Sequence, residues 1–154
     1  MDAAARATTG RAPRILIAIS IAYLVLVLAV TLLPAPWPAS EFESPGGVLN
    51  LANWFAAETW TRGSSAEFAL NVLLFVPIGL IAGHYLRPWW LRVLAPIALT
   101  FAIEIIQLPL PDRVSDPRDI AANTIGALAG VLLVWIVRAF RRDRATDPDR
   151  AAVH

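Results

Sequence analysis

The chain has 154 residues, the length of one domain, and 57% of them are hydrophobic against 16% charged. With a formal net charge of +1 and no cysteine, it offers neither the basic surface that nucleic acid requires nor any disulfide or thiolate. The two histidines, His84 and the terminal His154, are too few for a His/Cys zinc site. No cofactor and no metal is expected.

The charges gather outside four apolar blocks, 15–33, 68–86, 93–110 and 120–137. Each reaches about the 18 to 20 residues that cross a hydrocarbon core of roughly 30 Å. Lipid cannot satisfy backbone polar groups, so spanning segments are helices or closed barrels, and long runs without alternation are helices. The predicted fold is all-α: an integral membrane four-helix bundle over residues 15–137. A tail at 1–14 precedes it, and a basic, disordered tail at 138–154 follows. The first block is longer than the roughly 7 to 15 apolar residues of a signal peptide, and Pro34, Pro36 and Pro38 crowd the cleavage zone. It is therefore expected to stay as a span.

Arginine placement predicts the orientation. Arg6, Arg11 and Arg14 precede the first block, Arg87 and Arg92 separate the second from the third, and Arg138, Arg141, Arg142, Arg144 and Arg150 follow the fourth. The other side carries only Arg62, Arg113 and Arg118. The positive-inside rule then puts both termini and the short turn at 84–90 in the cytoplasm of a cell whose plasma membrane the chain crosses. In that turn Tyr85, Trp89 and Trp90 make an interfacial belt, Pro88 stops the helix, and Arg87 can meet lipid phosphates. His84 reads as part of the same belt.

The loop from Pro34 to Glu67 is longer than a connector requires. Within it Val48, Leu51, Ala52 and Phe55 repeat at i, i+3, i+4 and i+7, with Asn50 and Asn53 on the other side. This predicts a short helix on the outer leaflet, serving as a surface anchor or as a lid over a polar site.

Polar residues converge at the outer ends of the spans. Asn71 lies early in the second block, Glu104 and Gln107 late in the third, and Asp116, Asp119 and Asn123 at the start of the fourth. Glu104 and Gln107 share a helix face at i, i+3. Asp116, Asp119, Asn123, Gly126 and Gly130 share another, and Gly126-x-x-x-Gly130 lets a neighbouring helix approach closely. Pro77 and Gly79 are expected to loosen the second helix at mid-membrane.

Each of these residues also has a plainer role. Asp116 before Pro117 suits an N-cap, and Asp119 suits the positive end of a helix dipole. Asn71 and Asn123 suit interhelical hydrogen bonds. Glu104 is too deep for a cap. An acidic residue at a helix centre is unfavourable by roughly 3 kcal/mol, which marks Glu104 as a functional candidate with Arg113 as its first expected counter-charge and Arg118 as its second.

Taken together, Asn71-Val-Leu-Leu-Phe75-Val-Pro77-Ile-Gly79, Glu104-x-x-Gln107 and Arg113-x-x-Asp116-x-x-Asp119-x-x-x-Asn123-Thr124-x-Gly126 resemble the VanZ-like family of small bacterial membrane proteins. The resemblance runs from the first block to about Val137. It implies a four-helix membrane fold and, through the teicoplanin-resistance protein that gives the family its name, lower susceptibility to a lipoglycopeptide. It implies no catalytic mechanism.

Three functional readings follow. In the first, the protein is a non-enzymatic envelope protein whose polar pocket (Asn71, Glu104, Gln107, Arg113, Asp116, Arg118, Asp119, Asn123) holds a lipid-linked or amphiphilic ligand at the outer leaflet. In the second, it is an enzyme acting on an envelope lipid or prenyl-phosphate head group, with Glu104 as acid or base, Arg113 and Arg118 as the phosphate clamp, and Asp116 and Asp119 as a candidate metal-holding pair, on its own a weak signal. That reading ranks lower because no nucleophile with a recognised partner is present. In the third, the cluster only fastens helices together.

Overall fold

The structure is a computed structural model that describes residues 2–34 and 45–146. Four long helices carry it: α1 (Asp2–Leu32), α4 (Ser65–Tyr85), α5 (Trp89–Gln107) and α6 (Pro117–Thr146). Between α1 and α4 come a 3-10 turn, η1 (Gly47–Leu49), and two one-turn helices, α2 (Leu51–Phe55) and α3 (Ala57–Thr61). The described residues contain no strand. Each long helix holds a stretch long and apolar enough to cross a bilayer: Pro13–Leu32, Ser65–Tyr85, Trp89–Gln107 and Pro117–Arg144.

α4, α5 and α6 begin three or four residues before the apolar blocks, each straight after a capping residue, Ser64, Pro88 or Asp116. Ser64 and Glu67 form a capping box at the head of α4. The Ser64 hydroxyl accepts the Ala66 N–H at 3.1 Å, and Glu67 accepts the Ser64 N–H at 3.4 Å. Pro88 is the N-cap of α5, so Trp89 and Trp90 open that helix and do not lie in the turn. The turn itself is tied by Arg92, which donates to the Leu86 carbonyl at 2.8 Å and the Arg87 carbonyl at 3.0 Å. At the far end, α6 runs on through Arg138, Arg141, Arg142 and Arg144 to Thr146. The disordered tail expected from 138 therefore does not start there, because the arginines extend the helix after the apolar run ends. Residues 147–154 lie outside the described residues, as do residues 35–44 of the long loop.

The core of the bundle is the α4–α6 pair. A Cβ on Gly126 would collide with the Val72 carbonyl, one on Gly130 with the Val76 carbonyl, and one on Gly79 with the Ala127 carbonyl. Small residues on both helices thus let the two backbones touch. This gives the Gly126-x-x-x-Gly130 stripe its expected packing role and corrects the reading of Gly79. That glycine is a contact surface, and α4 stays helical through both Pro77 and Gly79. Val27, Phe75, Ile78, Ile103 and Ala127 form the buried apolar cluster that joins α1, α4, α5 and α6.

Candidate functional site

Four helix ends meet at one end of the bundle: the last turns of α1 and α5 and the first turns of α4 and α6. The side chains there form a packed polar layer. Glu104 is 1% exposed, Asn123 3% and Gln107 6%. The Glu104 carboxylate accepts the Asp116 backbone N–H at 2.9 Å and lies within hydrogen-bonding reach of the Ser115 hydroxyl. Asp119 lies within reach of the Asn71 side chain, joining α6 to α4. Asp116 turns its own carboxylate to the Arg118 N–H at 2.8 Å, the N-cap geometry expected of an Asp-Pro pair. Burial pushes the Asp116 carboxyl above its usual range, while the Arg118 N–H and the Arg118 charge pull it partly back.

One turn deeper, the Asn123 amide donates to the Thr100 hydroxyl at 2.8 Å and links α6 to α5. Gln107 donates to the Thr31 carbonyl of α1 at 2.9 Å. The remaining amide oxygens, Gln107 Oε1 and Asn123 Oδ1, are buried without a hydrogen-bond partner among the described residues.

Arginine behaves differently from expectation. Arg113 does not reach Glu104. Its Nε donates to the Leu33 carbonyl at 3.0 Å, and its Nη2 bonds the Val30 and Leu33 carbonyls. The guanidinium therefore caps α1, whose last carbonyls have no helical partner and carry the negative end of the dipole. Arg118 stays close enough to act electrostatically on Asp116 and Asp119, with its guanidinium 5.3 Å from the centre of the Phe68 ring. Among the described residues Arg62 pairs with Glu58 at 3.5 Å on the surface of α3. The carboxylates of the layer are held by N–H and O–H groups and not by a paired cation.

The segment 45–61 covers this layer. Gly46 and Gly47 enter the segment at positive φ (78° and 51°), and Asn50 is extended between η1 and α2, so two short turns stand where one amphipathic helix was expected. The apolar stripe is split as a result: Val48 is 6% exposed and points inward, whereas Leu51 and Phe55 are 73% and 87% exposed. Gly47 packs directly on Leu108 and Ser115, and the Val48 N–H donates to the Ser115 hydroxyl at 3.4 Å. Trp54 stacks on Phe101 of α5 with 6.0 Å between ring centres, and its indole N–H donates to the Val48 carbonyl at 2.9 Å. Asn50 and Asn53 hold the turn from within. Asn50 accepts the Ala52 N–H at 3.1 Å, and Asn53 donates to the Gly47 carbonyl at 2.8 Å.

Three hydroxyls fall outside the expected polar set: Tyr23, whose phenol donates to the Leu74 carbonyl at 2.8 Å, Ser115 beside Glu104, and Thr100 in the layer itself; the Thr31 group that meets Gln107 is a backbone carbonyl. Thr100 carried a signal, since it lies four residues before Glu104 on the same face. Among the described residues no three of His, Cys, Asp and Glu converge to hold a metal ion.

Four spanning helices around a closed polar layer define a multi-pass integral membrane protein. The VanZ/LLP1 family matches residues 20–138, which takes in the second and third spans whole, most of the first and fourth, and the whole layer, and the chain belongs to that family. No curated protein and no solved structure matches the chain significantly.

Proposed function

We propose that this protein is a non-catalytic component of the cell envelope. In this reading it lies in the plasma membrane with both termini in the cytoplasm, and its polar layer receives a lipid-linked or amphiphilic ligand at the outer leaflet. Such binding would change how the surface meets glycopeptide and lipoglycopeptide antibiotics and so lower susceptibility to them. The observation that carries the reading is Glu104, fully buried near two further carboxylates, Asp116 and Asp119, at one end of the bundle. Acidic groups at this depth persist against a desolvation cost and are by default functional. Asn71 and Arg118 complete the layer toward α4, and segment 45–61 would have to move for a ligand to enter.

Native mass spectrometry of the wild-type protein and of Glu104→Gln tests this. A specifically retained amphiphile that disappears in the variant supports the proposal. A wild-type protein that retains nothing from envelope membranes, and leaves teicoplanin susceptibility of a sensitive host unchanged, refutes it.

The Glu104–Asp116 hydrogen bond favours one alternative, in which the layer serves architecture alone. Under it Glu104→Gln changes stability without changing what the protein retains.

A further inference from the structure

A second feature lies at the opposite, arginine-rich end of the bundle and is independent of the polar layer. Between α1, α4 and α5 runs a cleft of about 280 Å³, lined by Ser20, Leu24, Ile78, Ala82, Pro96 and Leu99 among others. Its origin is the way α1 is attached. Tyr23, Val27, Thr31 and the Arg113 cap all hold the C-terminal half of that helix. Ile15, Leu16, Ile17 and Ile19, in the other half, are 48–59% exposed. A helix fastened at one end leaves a wedge at the other.

The lining decides what can fill the wedge. It is carbon almost throughout, and the Ser20 hydroxyl is turned back onto the Leu16 carbonyl at 2.8 Å. A buried water needs about two to four polar partners, so water has no place there. Left empty, the walls forfeit their dispersion contacts. A helix from another copy is too thick: at about 10 Å across and 5.4 Å per turn, a single turn occupies roughly 420 Å³. A hydrocarbon chain has the right shape, given that an apolar cavity of about 150 Å³ already accepts benzene.

Charge at the mouth identifies the rest of the ligand. The cleft wall ends at Tyr85 and Leu86, next to Arg87. Arg14 lies on α1 six residues before Ser20, about 9 Å further along the helix at ~1.5 Å per residue. Both arginines are exposed, and neither guanidinium makes a hydrogen bond or ion pair among the described residues, whereas nearby Arg92 is committed to the Leu86 and Arg87 carbonyls. Two guanidinium groups beside an apolar slot suit a phosphate ester. We propose that this cleft holds one acyl chain of an anionic phospholipid, with its phosphate between Arg14 and Arg87.

The test uses the full chain in nanodiscs that contain phosphatidylglycerol with a diazirine at mid-chain, or the phosphatidylcholine equivalent. The expected photo-adducts concentrate on 78–86 and 95–99. Ala82→Phe combined with Ala95→Phe should lower their yield by about tenfold, the loss of a discrete site. Arg14→Gln with Arg87→Gln should abolish the preference for phosphatidylglycerol. Adducts spread evenly over lipid-facing positions such as Leu73 and Leu132 would overturn the proposal, as would an unchanged yield in the filled variant. A crosslinked dimer that the filled variant loses would assign the cleft to a second copy and overturn it too. Should the filled variant fail to fold, the wild-type adduct map alone decides between a concentrated and an even pattern.

Discussion

The Glu104 carboxylate on α5 holds the Asp116 N–H at the head of α6, 2.9 Å away across a loop that returns the chain into the membrane. A helix begins with unsatisfied N–H groups and a partial positive charge, so a buried acceptor from another helix both caps it and fixes its position. Replacing Glu104 by Gln keeps an acceptor of the same shape. Glu104→Ala leaves the Asp116 N–H and the Ser115 hydroxyl buried without it. The expected loss for Ala is about 1–3 kcal/mol, with Gln well below that. Denaturant titration in micelles, followed by circular dichroism, measures both. Equal losses for the two variants would show that the capping bond is not what Glu104 contributes.

Arg113 and Glu104 should be energetically independent. Arg113 completes α1, and its Nε bond to Leu33 involves no carboxylate. The Glu104→Gln and Arg113→Ala effects on unfolding should then add within about 0.3–0.5 kcal/mol, as they do for separate sites. A double variant that recovers part of the loss would instead reveal a direct pair. Arg113→Ala alone should fray the end of α1, read as faster amide exchange near Leu32 and Leu33.

The α4–α6 contact has little room for a side chain. Gly126 and Gly130 face the Val72 and Val76 carbonyls so closely that even a methyl must push the helices apart. Overpacking of this kind costs about 1–3 kcal/mol, and Gly126→Leu should reach or exceed the upper end. The midpoint of unfolding in mixed detergent micelles gives the value. Leu128→Ala, on an exposed face of the same helix, is the control expected to stay near wild type.

Asp116 provides a pH-dependent test. Burial raises its carboxyl above the ordinary value of 3.8, so the folded chain binds this proton more tightly than the unfolded chain does. Between that value and the raised one, the unfolded state has already released the proton. Stability from this group therefore falls as pH rises through that window. Asp116→Asn retains an N-cap acceptor for the Arg118 N–H and removes the titration. The variant should be more stable than wild type at pH 7, and the difference should shrink as pH is lowered toward 3.8. A difference that is constant with pH would mean that the carboxylate is not burdened by burial.

How far these features could be read in the sequence depended on their range. The four spans were legible because hydropathy alone dictates them, and the polar layer was legible because alternating helix direction brings Asn71, Glu104, Gln107, Asp119 and Asn123 to one level. Boundaries shifted where capping chemistry outweighed hydropathy, as at Ser64–Glu67 and Pro88. Arg113 departs from the pairing that charge alone suggests, donating to the Leu33 and Val30 carbonyls and not to Glu104. The open carbonyls at the end of α1 compete for the same guanidinium, and their position relative to residue 113 is a matter of packing. The i, i+3, i+4 stripe at 48–55 predicted one helix, yet Asn50 is extended and caps α2, which separates Val48, turned inward after the left-handed Gly46-Gly47, from Leu51 and Phe55.

That glycine pair supplies the last test. Gly47 has φ of 51° and rests on Leu108 and Ser115, so a Cβ there meets both a conformational and a steric obstacle. The left-handed conformation alone costs an L-residue roughly 1–2 kcal/mol. Gly47→Ala should therefore lift segment 45–61 from the polar layer while leaving the α4–α6 pair in place. Amide exchange should quicken by about tenfold or more at Val48 and Asp116, a tenfold change corresponding to ~1.4 kcal/mol. Amides of α4 near Phe75 should be unaffected. Ser115→Ala keeps the Cβ contact but removes the hydroxyl that links Val48 to Glu104, and should produce a smaller change of the same pattern. If exchange quickens throughout α4 and α6 as well, the segment is part of the bundle's cooperative core, and it cannot open on its own to admit a ligand to Glu104.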